Sequence, residues 1–227
     1  MRIAVVIPAL NEAARIEACL RAVRMQQPGG TEVDVVVVDG GSVDDTRLLA
    51  TRYARVTSAS RGRGAQMNAG ALAASGDVLL FLHADTVLPE GAFAAIDAAL
   101  ADGGVVGGTF RLRFDRDSPA LRLYAWFTRF RWRLFHYGDQ GIFVRRSTFE
   151  ALGGFREWPI MEDVDLLARL DAVGRTALLP LAVTTSARRF ERHGVVRQQL
   201  LNAGLMLAHF AGVKPLRLAR WYENTHR

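Results

Sequence analysis

Half of the 227 residues are hydrophobic, so the chain can bury one substantial core and fits a single domain with an appendage. One cysteine, Cys19, excludes an internal disulfide framework, and the opening stretch from Met1 does not resolve into an n-region, h-region and cleavage site, so a cytoplasmic setting is expected. The net charge of +6 is uneven: residues 1 to 110 hold 9 basic and 12 acidic side chains (net −3), residues 111 to 227 hold the other 20 and 11 (net +9), and Lys214 is the only lysine.

Residues 3 to 7 and 33 to 38 are β-branched runs, and Ile16, Leu20 and Val23 fall at helical spacing in the segment Asn11 to Gln26 between them, which makes a βαβ unit. Asp44 to Tyr53 reads as a helix opened by acids, Val56 to Ser58 as a short strand and Ala65 to Ala74 as a third helix. Val78 to Leu82 is wholly apolar, the mark of a strand buried on both faces. Pro89 leads into a helix over Gly91 to Ala101, and Val105 to Phe114 reads as another strand. This alternation predicts an α/β fold with a mostly parallel sheet and right-handed crossovers. Further on, Ser118 to Phe135 is a helix-length stretch rich in aromatics and arginine, Gly141 to Val144 a short strand, Glu162 to Val173 a helix and Thr176 to Thr185 another strand. The last segment reads as helical with a break at Gly212 to Pro215. No apolar run reaches the roughly 18 residues of a membrane-spanning helix. Val195 to Val213 is nonetheless apolar around most of its circumference, with Arg197, Arg217 and Arg220 nearby. It fits an interfacial helix on a membrane, or a helix packed on the domain or on a second subunit.

Asp85 stands just beyond the buried strand, at the carboxyl edge where open α/β sheets bind their ligands. An aspartate there can reach a divalent cation held on phosphate oxygens. His83 either assists it or is simply packed. Asp39 closes the second strand ahead of Gly40 and Gly41, placed to accept hydrogen bonds from a ribose or a base, or only to shape a Gly-rich turn. A nicotinamide-dinucleotide enzyme is disfavoured, because the turn after the first strand is Pro8-Ala9-Leu10-Asn11-Glu12 and not a Gly-rich fingerprint. Arg61-Gly62-Arg63-Gly64 lies at the mouth of a helix, where free N–H groups favour an anion such as a diphosphate; a solvated basic loop is the alternative. Asp163, Leu166, Leu167 and Leu170 share one helix face, whereas Glu162, Asp165 and Arg169 share another. Asp163 is therefore expected to point inward, as a general base for an alcohol or as a cap. Arg188 and Arg189, followed by His193, combine phosphate-binding side chains with a candidate nitrogen ligand for a metal. The charge alone would admit nucleic acid, but no zinc spacing or recognition-helix signature accompanies it, and nucleic acid is not expected as a partner.

Taken together, Ile7 to Glu12, Val38-Asp39-Gly40-Gly41-Ser42 with Asp44-Asp45-Thr46, the Arg-Gly-x-Gly loop ending at Asn68, the strand into His83-Ala84-Asp85, and Glu162-Asp163 resemble family 2 glycosyltransferases over residues 1 to about 195. Gly138-Asp139-Gln140-Gly141 and Leu152-Gly153-Gly154-Phe155 look like the acceptor-side elements of these enzymes, which puts Asp139, Gly153 and Gly154 on that side. A compact subgroup associated with radical-SAM or selenium-related domains is the most similar.

The resemblance implies a GT-A fold, with a Rossmann-like, mostly parallel central sheet flanked by helices. It implies a catalytic domain over residues 1-194 (nucleotide-sugar half 1-110, acceptor half 111-194) and a helical extension over 195-227. The implied reaction is inverting transfer from a nucleotide-diphosphate sugar to a lipid or small-molecule acceptor. Carried over by position, Pro8, Ala9, Glu12 and Asp39 line the nucleoside pocket, Arg63 faces the diphosphate, Asp85 holds Mg²⁺ or Mn²⁺, and Asp163 takes the acceptor proton; Ala84 is counted with the donor-binding residues, and His193, read from the residues alone, is a candidate further metal ligand. One departure is plain: the family pattern is Asp-x-Asp, and here His83 replaces the first acid. A sugar nucleotidyltransferase is an alternative, although Pro8 to Glu12 lacks the basic residues its N-terminal loop needs. The other is a non-catalytic membrane-surface or carbohydrate-binding module, suggested by Trp126, Phe127, Phe130, Trp132, Phe135 and Tyr137 among arginines. A homodimer and a peripheral place on the cytoplasmic membrane face complete the expectations.

Overall fold

The computed structural model describes residues 1–26, 33–130 and 138–225. The first half runs β1 (Ile3–Ala9), α1 (Ile16–Met25), β2 (Val33–Asp39), α2 (Thr46–Ala50), β3 (Arg55–Ser58), α3 (Arg63–Ala73), β4 (Val78–Phe81), β5 (Thr86–Val87), α4 (Ala92–Leu100) and β6 (Val105–Phe114). There follow α5 (Pro119–Phe127), a 3-10 turn at Gly138–Gln140, β7 (Ile142–Arg145), α6 (Arg146–Ala151), α7 (Glu162–Val173), β8 (Arg175–Thr185), α8 (Arg188–His193), α9 (Val195–Phe210) and α10 (Pro215–Thr225).

The strands form one sheet in the order β3-β2-β1-β4-β7-β6-β8-β5. β1 pairs in parallel with β2 and β4, β2 with β3, and β6 with β8. β7 runs antiparallel between β4 and β6, and β5 antiparallel to β8, so six of the eight strands share a direction. Alternation along each central strand divides the core into two layers. Ile3, Val5, Ile7, Val35, Val37 and Leu80 face one side, which α1 covers with Ile16, Leu20 and Val23 and α4 with Phe93 and Ile96. Ala4, Val6, Val36, Val38, Leu79 and Phe81 face the other, under Met67 of α3, Phe149 of α6 and Leu166 and Leu170 of α7.

Several element bounds differ from the sequence expectation, for local reasons. The first helix begins at Ile16 and not near Asn11, because the preceding N–H groups are taken by the next loop: Asn11 donates to Ser42 Oγ (2.9 Å), Glu12 to Thr46 Oγ1 (2.8 Å) and Ala13 to Asp44 (3.1 Å). Asn11 itself adopts φ 54°. The second helix is shorter than Asp44 to Tyr53 for the same reason, since the Asp44 carboxylate is committed to Ala13 and Thr46. α5 starts where Ser118 accepts the Leu121 N–H (3.2 Å) and ends at Thr128, whose hydroxyl bonds Ala125 O (2.7 Å) and accepts from Leu112 (3.0 Å). Residues 131–137 of the expected aromatic helix, with Trp132, Phe135 and Tyr137, lie outside the described residues. β5, α6 and α8 are too short to register as periodic patterns.

α9 and α10 form a hairpin broken at Gly212 (φ 85°) and restarted at Pro215. Its inner face is built by Leu205, Met206 and Leu218, which pack with Met161 and Val164 at the start of α7. No helix among the described residues is long and apolar enough to cross a membrane.

Candidate active site

The carboxyl edge of the sheet gathers the chemistry. β1 delivers Pro8 and Ala9, β4 runs into His83, Ala84 and Asp85, and α3 begins at Arg63 just after Gly62, held at φ 142°. α7 begins after Met161, a non-glycine residue at φ 68°, so the backbone is strained where Glu162 and Asp163 enter.

Two adjoining cavities open there. The first, about 280 Å³, is lined by Pro8, Ala9, Glu12, Ala84, Asp85 and the four arginines 61, 63, 188 and 189. The second, about 350 Å³, is lined by Asp139, Asp163, aromatic side chains and the α9–α10 hairpin. Arg63, Pro159 and Arg189 belong to both, so the cavities communicate at Arg63.

In the first cavity, Arg188 forks onto both carboxylate oxygens of Glu12, with Nη1 at 2.9 Å from Oε2, and its Nη2 also lies 3.3 Å from Asp85 Oδ2. The Glu12 hydrogen bond holds the Arg188 guanidinium above its ordinary pKa. Buried Gln66 donates to Ala9 O (3.0 Å) and Val38 O (2.8 Å), tying the ends of β1 and β2. Asp39 is placed differently from Pro8, Ala9 and Glu12. Its carboxylate accepts from Gly41 (3.3 Å) and Ser42 (3.2 Å), shaping the Gly-rich turn, and it lines neither cavity.

Between the cavities, Arg63 Nε donates to Glu162 Oε1 at 2.8 Å. The helical pattern put Glu162 on a second, non-inward face; the structure corrects this, for Glu162 is 1% exposed and Asp163 8%. The first turn of α7 meets α3 through Arg63 on Glu162 and the C-terminal hairpin through Met161 and Val164, so both acids are enclosed. Burial pushes the Glu162 carboxyl up, against the opposing pull of Arg63. Burial likewise works against the Arg63 charge, yet Glu162, Asp163 and Asp139 together hold its pKa above the usual arginine value. One oxygen of Asp163 accepts the Val164 N–H at 2.8 Å, which orients the carboxylate at the wall of the second cavity.

His83 Nδ1 meets Asp139 Oδ1 at 3.0 Å. Burial disfavours the charged imidazole, but the hydrogen bond and charge of Asp139 outweigh it and hold the His83 pKa above its ordinary value. The reciprocal effect, with Arg189 and Arg63 adding to it, overcomes burial and keeps Asp139 well below the usual carboxylate range. The residue in place of the family's first acid is thus a partner for Asp139. Nothing in the sequence pattern signalled that pairing, which depends on the fold bringing two separate loops together.

Gly153 and Gly154 (φ 74° and 72°) are not brought to either cavity. They form a turn clamped to α3, where Asn68 exchanges two 2.8 Å hydrogen bonds with the Phe155 backbone, and a Cβ on Gly154 would stand 2.7 Å from Asn68 Oδ1. His193, at the end of α8, also lines neither cavity.

No group of three or more His, Cys, Asp or Glu side chains among the described residues could hold a metal ion by itself. What the first cavity offers is the single carboxylate of Asp85, shared with Arg188, beside a histidine already bonded through Nδ1. That set does not fit a resident metal cage. It does fit a divalent cation carried mostly on phosphate oxygens, the usual mode for magnesium, which binds through one or two carboxylates and substrate phosphates.

The model of Glycosyl transferase family 2 matches residues 4–153. The chain belongs to glycosyl transferase family 2. A PGL/p-HBAD biosynthesis glycosyltransferase of Mycobacterium bovis (strain BCG / Pasteur 1173P2) is 31% identical over 183 residues, covering 73% of this family 2 chain and 68% of the relative. Glycosyltransferase AglE of Haloferax volcanii is 27% identical over 168 residues, 67% of this chain and 55% of the relative, so the chain spans about half of AglE. Among solved structures, the mannosyltransferase PcManGT of Pyrobaculum calidifontis, in complex with GDP-Man and Mn²⁺, superposes with a TM-score of 0.68 at 23% identity, covering 99% of this chain and 70% of that one. Glucosyl-3-phosphoglycerate synthase of Mycobacterium tuberculosis, in complex with Mn²⁺, UDP and glucosyl-3-phosphoglycerate, gives 0.65 at 24% identity, covering 94% and 81%. The fold of this family 2 member is GT-A: a mostly parallel sheet flanked by helices, with a helical C-terminal region.

Proposed function

We propose that the protein transfers a sugar from a nucleotide-diphosphate sugar to an acceptor hydroxyl, with inversion at the anomeric carbon. The observation that carries this reading is the pair of cavities meeting at Arg63, one holding Asp85 and the arginines, the other holding Asp163. The donor occupies the first cavity, its diphosphate against the arginines and the N-terminus of α3, where unpaired N–H groups and the helix dipole favour an anion. The acceptor hydroxyl lies in the second cavity beside Asp163, which takes its proton as the oxygen attacks the anomeric carbon. The bond from that carbon to the diphosphate oxygen breaks, its electron pair leaves with the nucleoside diphosphate, and the arginines stabilise the developing charge. One displacement from the face opposite the leaving group inverts the centre.

Asp85 is the residue that would hold Mg²⁺ or Mn²⁺, and a divalent cation there supplies charge neutralisation on the departing diphosphate. Asp39, at the carboxyl end of β2, stays the residue assigned to the nucleoside and His193 a candidate further ligand for the cation, although neither lines the two cavities. Its motif residues, Ile7 to Glu12 and His83-Ala84-Asp85 among them, support placing it with the subgroup associated with radical-SAM or selenium-related domains. A lipid or small-molecule acceptor fits the second cavity. For the outward face of α9, where Val196, Leu200, Leu207 and Phe210 are exposed, the surrounding arginines favour an anionic lipid surface over a second copy of the same cationic half.

The test is release of nucleoside diphosphate from a panel of nucleotide sugars with Mn²⁺. Asp163→Asn should lower kcat by roughly 10²- to 10⁴-fold, the usual worth of a general base, while nucleoside diphosphate still binds. Asp85→Ala should weaken donor use. Full activity in both variants would sink the assignment.

A further inference from the structure

A third cavity, about 780 Å³, opens on the acceptor half and shares no lining residue with the donor cavity. β6 and β8 supply part of its lining. Two residues of β8, Pro180 and Leu181, have no opposite number on β6, because Phe110 pairs with Leu179 and Arg111 with Ala182. Past that bulge Leu112 and Phe114 turn into the core, so Arg111 and Arg113 project from the other face of the strand. The loop after β6 adds Arg116, and α5 with the turn that follows it adds Arg122 and Arg129. Five arginines thus line one cavity with two carboxylates, those of Asp115 and Asp117.

The acids are already committed. Asp117 pairs with Arg122 (3.0 Å), Glu191 from outside the cavity pairs with Arg116 (2.8 Å), and Asp115 accepts the Ala187 N–H (2.8 Å). Among the described residues, Arg111, Arg113 and Arg129 have no carboxylate partner, and the Nε of Arg111 is buried with no hydrogen-bond partner. Arg129 rests on the exposed Trp126, with Cζ 5.7 Å from the ring centroid. A purely solvated basic surface would leave its guanidinium nitrogens to water, whereas here a buried donor has lost its water and gained nothing in exchange.

We propose that this cavity is a second phosphate site, which takes a phosphate monoester group carried by a small molecule or by a lipid headgroup. A monoester presents three terminal oxygens and close to two negative charges. That matches three arginines without a counter-charge, reaching the cavity from β6 and from the end of α5. A carboxylate suits the cavity less well, because a single guanidinium fork already fills its two oxygens. With no anion present the three guanidiniums repel one another, and a bound monoester offsets that repulsion. None of these arginines lines the donor or the acceptor cavity, so the inference stands apart from the glycosyltransfer reading. Phe114 lines both this cavity and the second, so a phosphate held here sits beside the acceptor space.

The experiment titrates the full chain at low salt with glycerol 3-phosphate, with glycerol and acetate as controls, and follows its sedimentation with phosphatidylcholine vesicles with and without phosphatidic acid. Binding of glycerol 3-phosphate names a soluble ester as the source; binding of the phosphatidic acid vesicles alone names a lipid headgroup. In either case Arg111→Gln and Arg113→Gln should each weaken the interaction about tenfold or more, the loss of one charge-assisted contact. Arg113 is exposed, so its variant should keep the wild-type unfolding midpoint and carries the test even where Arg111→Gln fails to fold. Arg61→Gln, in the donor cavity, should leave the phosphate affinity unchanged, and Arg113→Gln should leave the affinity for uridine and guanosine diphosphates unchanged. Binding that falls in Arg61→Gln but not in Arg113→Gln would move the ester to the donor cavity and overturn the inference. Equal affinity for acetate, no binding of either phosphate probe, or tighter binding of a single-stranded oligonucleotide that Arg113→Gln abolishes would overturn it as well. Failure to release nucleoside diphosphate from any nucleotide sugar would sink the glycosyltransfer reading and leave the phosphate site standing.

Discussion

Arg188 decides how much positive charge the donor cavity presents to a diphosphate. Four arginines line that cavity against the carboxylates of Glu12 and Asp85, and Arg188 covers both acids at once. Arg188→Ala leaves three arginines and two uncovered carboxylates facing an anionic ligand. One charge-assisted hydrogen bond is worth about 1.5–3 kcal/mol, so nucleoside diphosphate affinity should fall roughly ten- to hundredfold. Titration calorimetry with uridine and guanosine diphosphates would measure the loss, and an unchanged Kd would show that Arg188 only braces Glu12. At this scale the sequence was informative wherever a side chain acts from the end of a strand or the start of a helix. Asp85 and Arg63 could be placed that way, and Asp163 through its spacing from Leu166, Leu167 and Leu170. Glu162, His83 with Asp139, and the Arg188 bridge were not legible, because each depends on a partner distant in sequence that only the fold supplies.

Each of these residues is aimed by an element pressed closely onto the sheet, and α3 is the tightest case. A Cβ on Gly70 would stand 2.3 Å from Val6 Cγ1 and 2.8 Å from Val38 Cγ2, both β-branched side chains held in the core. Gly70→Ala gains about 1 kcal/mol of helix propensity, but overpacking a filled core costs about 1–3 kcal/mol. The expected net effect is destabilisation by about 1 kcal/mol, read by urea unfolding, with weaker nucleoside diphosphate binding as α3 lifts and carries Arg63 with it. A stabilised variant would show that the helix has room to move. The first-half elements were readable because parallel strands buried on both faces leave continuous apolar runs, as in β4. β7 was readable as a strand but not in its place. Four residues from Ile142 to Arg145 insert antiparallel between β4 and β6, a pairing set by non-local contacts that no local pattern encodes.

Across the whole molecule, the acceptor half and the C-terminal hairpin carry the excess charge and the exposed apolar surface together. The sequence marked Val195 to Val213 as apolar around most of its circumference but left its partner open; the inner face of the hairpin proves to be a wall of the second cavity, built on Met161 and Val164. The outer face keeps Val196, Leu200, Leu207 and Phe210 on α9, with Leu216 and Trp221 on α10, all exposed. Arg197, Lys214, Arg217 and Arg220 are exposed on the same two elements and the turn between them. Each basic residue near an anionic membrane adds about 1 kcal/mol of attraction, and salt screens that attraction within about 10 Å at 0.1 M. A stripe that rests on lipid should therefore co-float with phosphatidylserine-containing vesicles at low salt, float less at 0.5 M salt, and fail to float with purely zwitterionic vesicles. Replacing Leu200 and Leu207 by glutamate places two like-charged groups against the anionic surface and removes two apolar contacts, so partitioning should drop at least tenfold, with the unfolding midpoint little changed because both side chains are already exposed. Equal flotation with zwitterionic vesicles, or flotation that survives the double change, would remove lipid as the occupant; a dimer seen by light scattering and lost in the same variant would assign the face to a second copy of the chain.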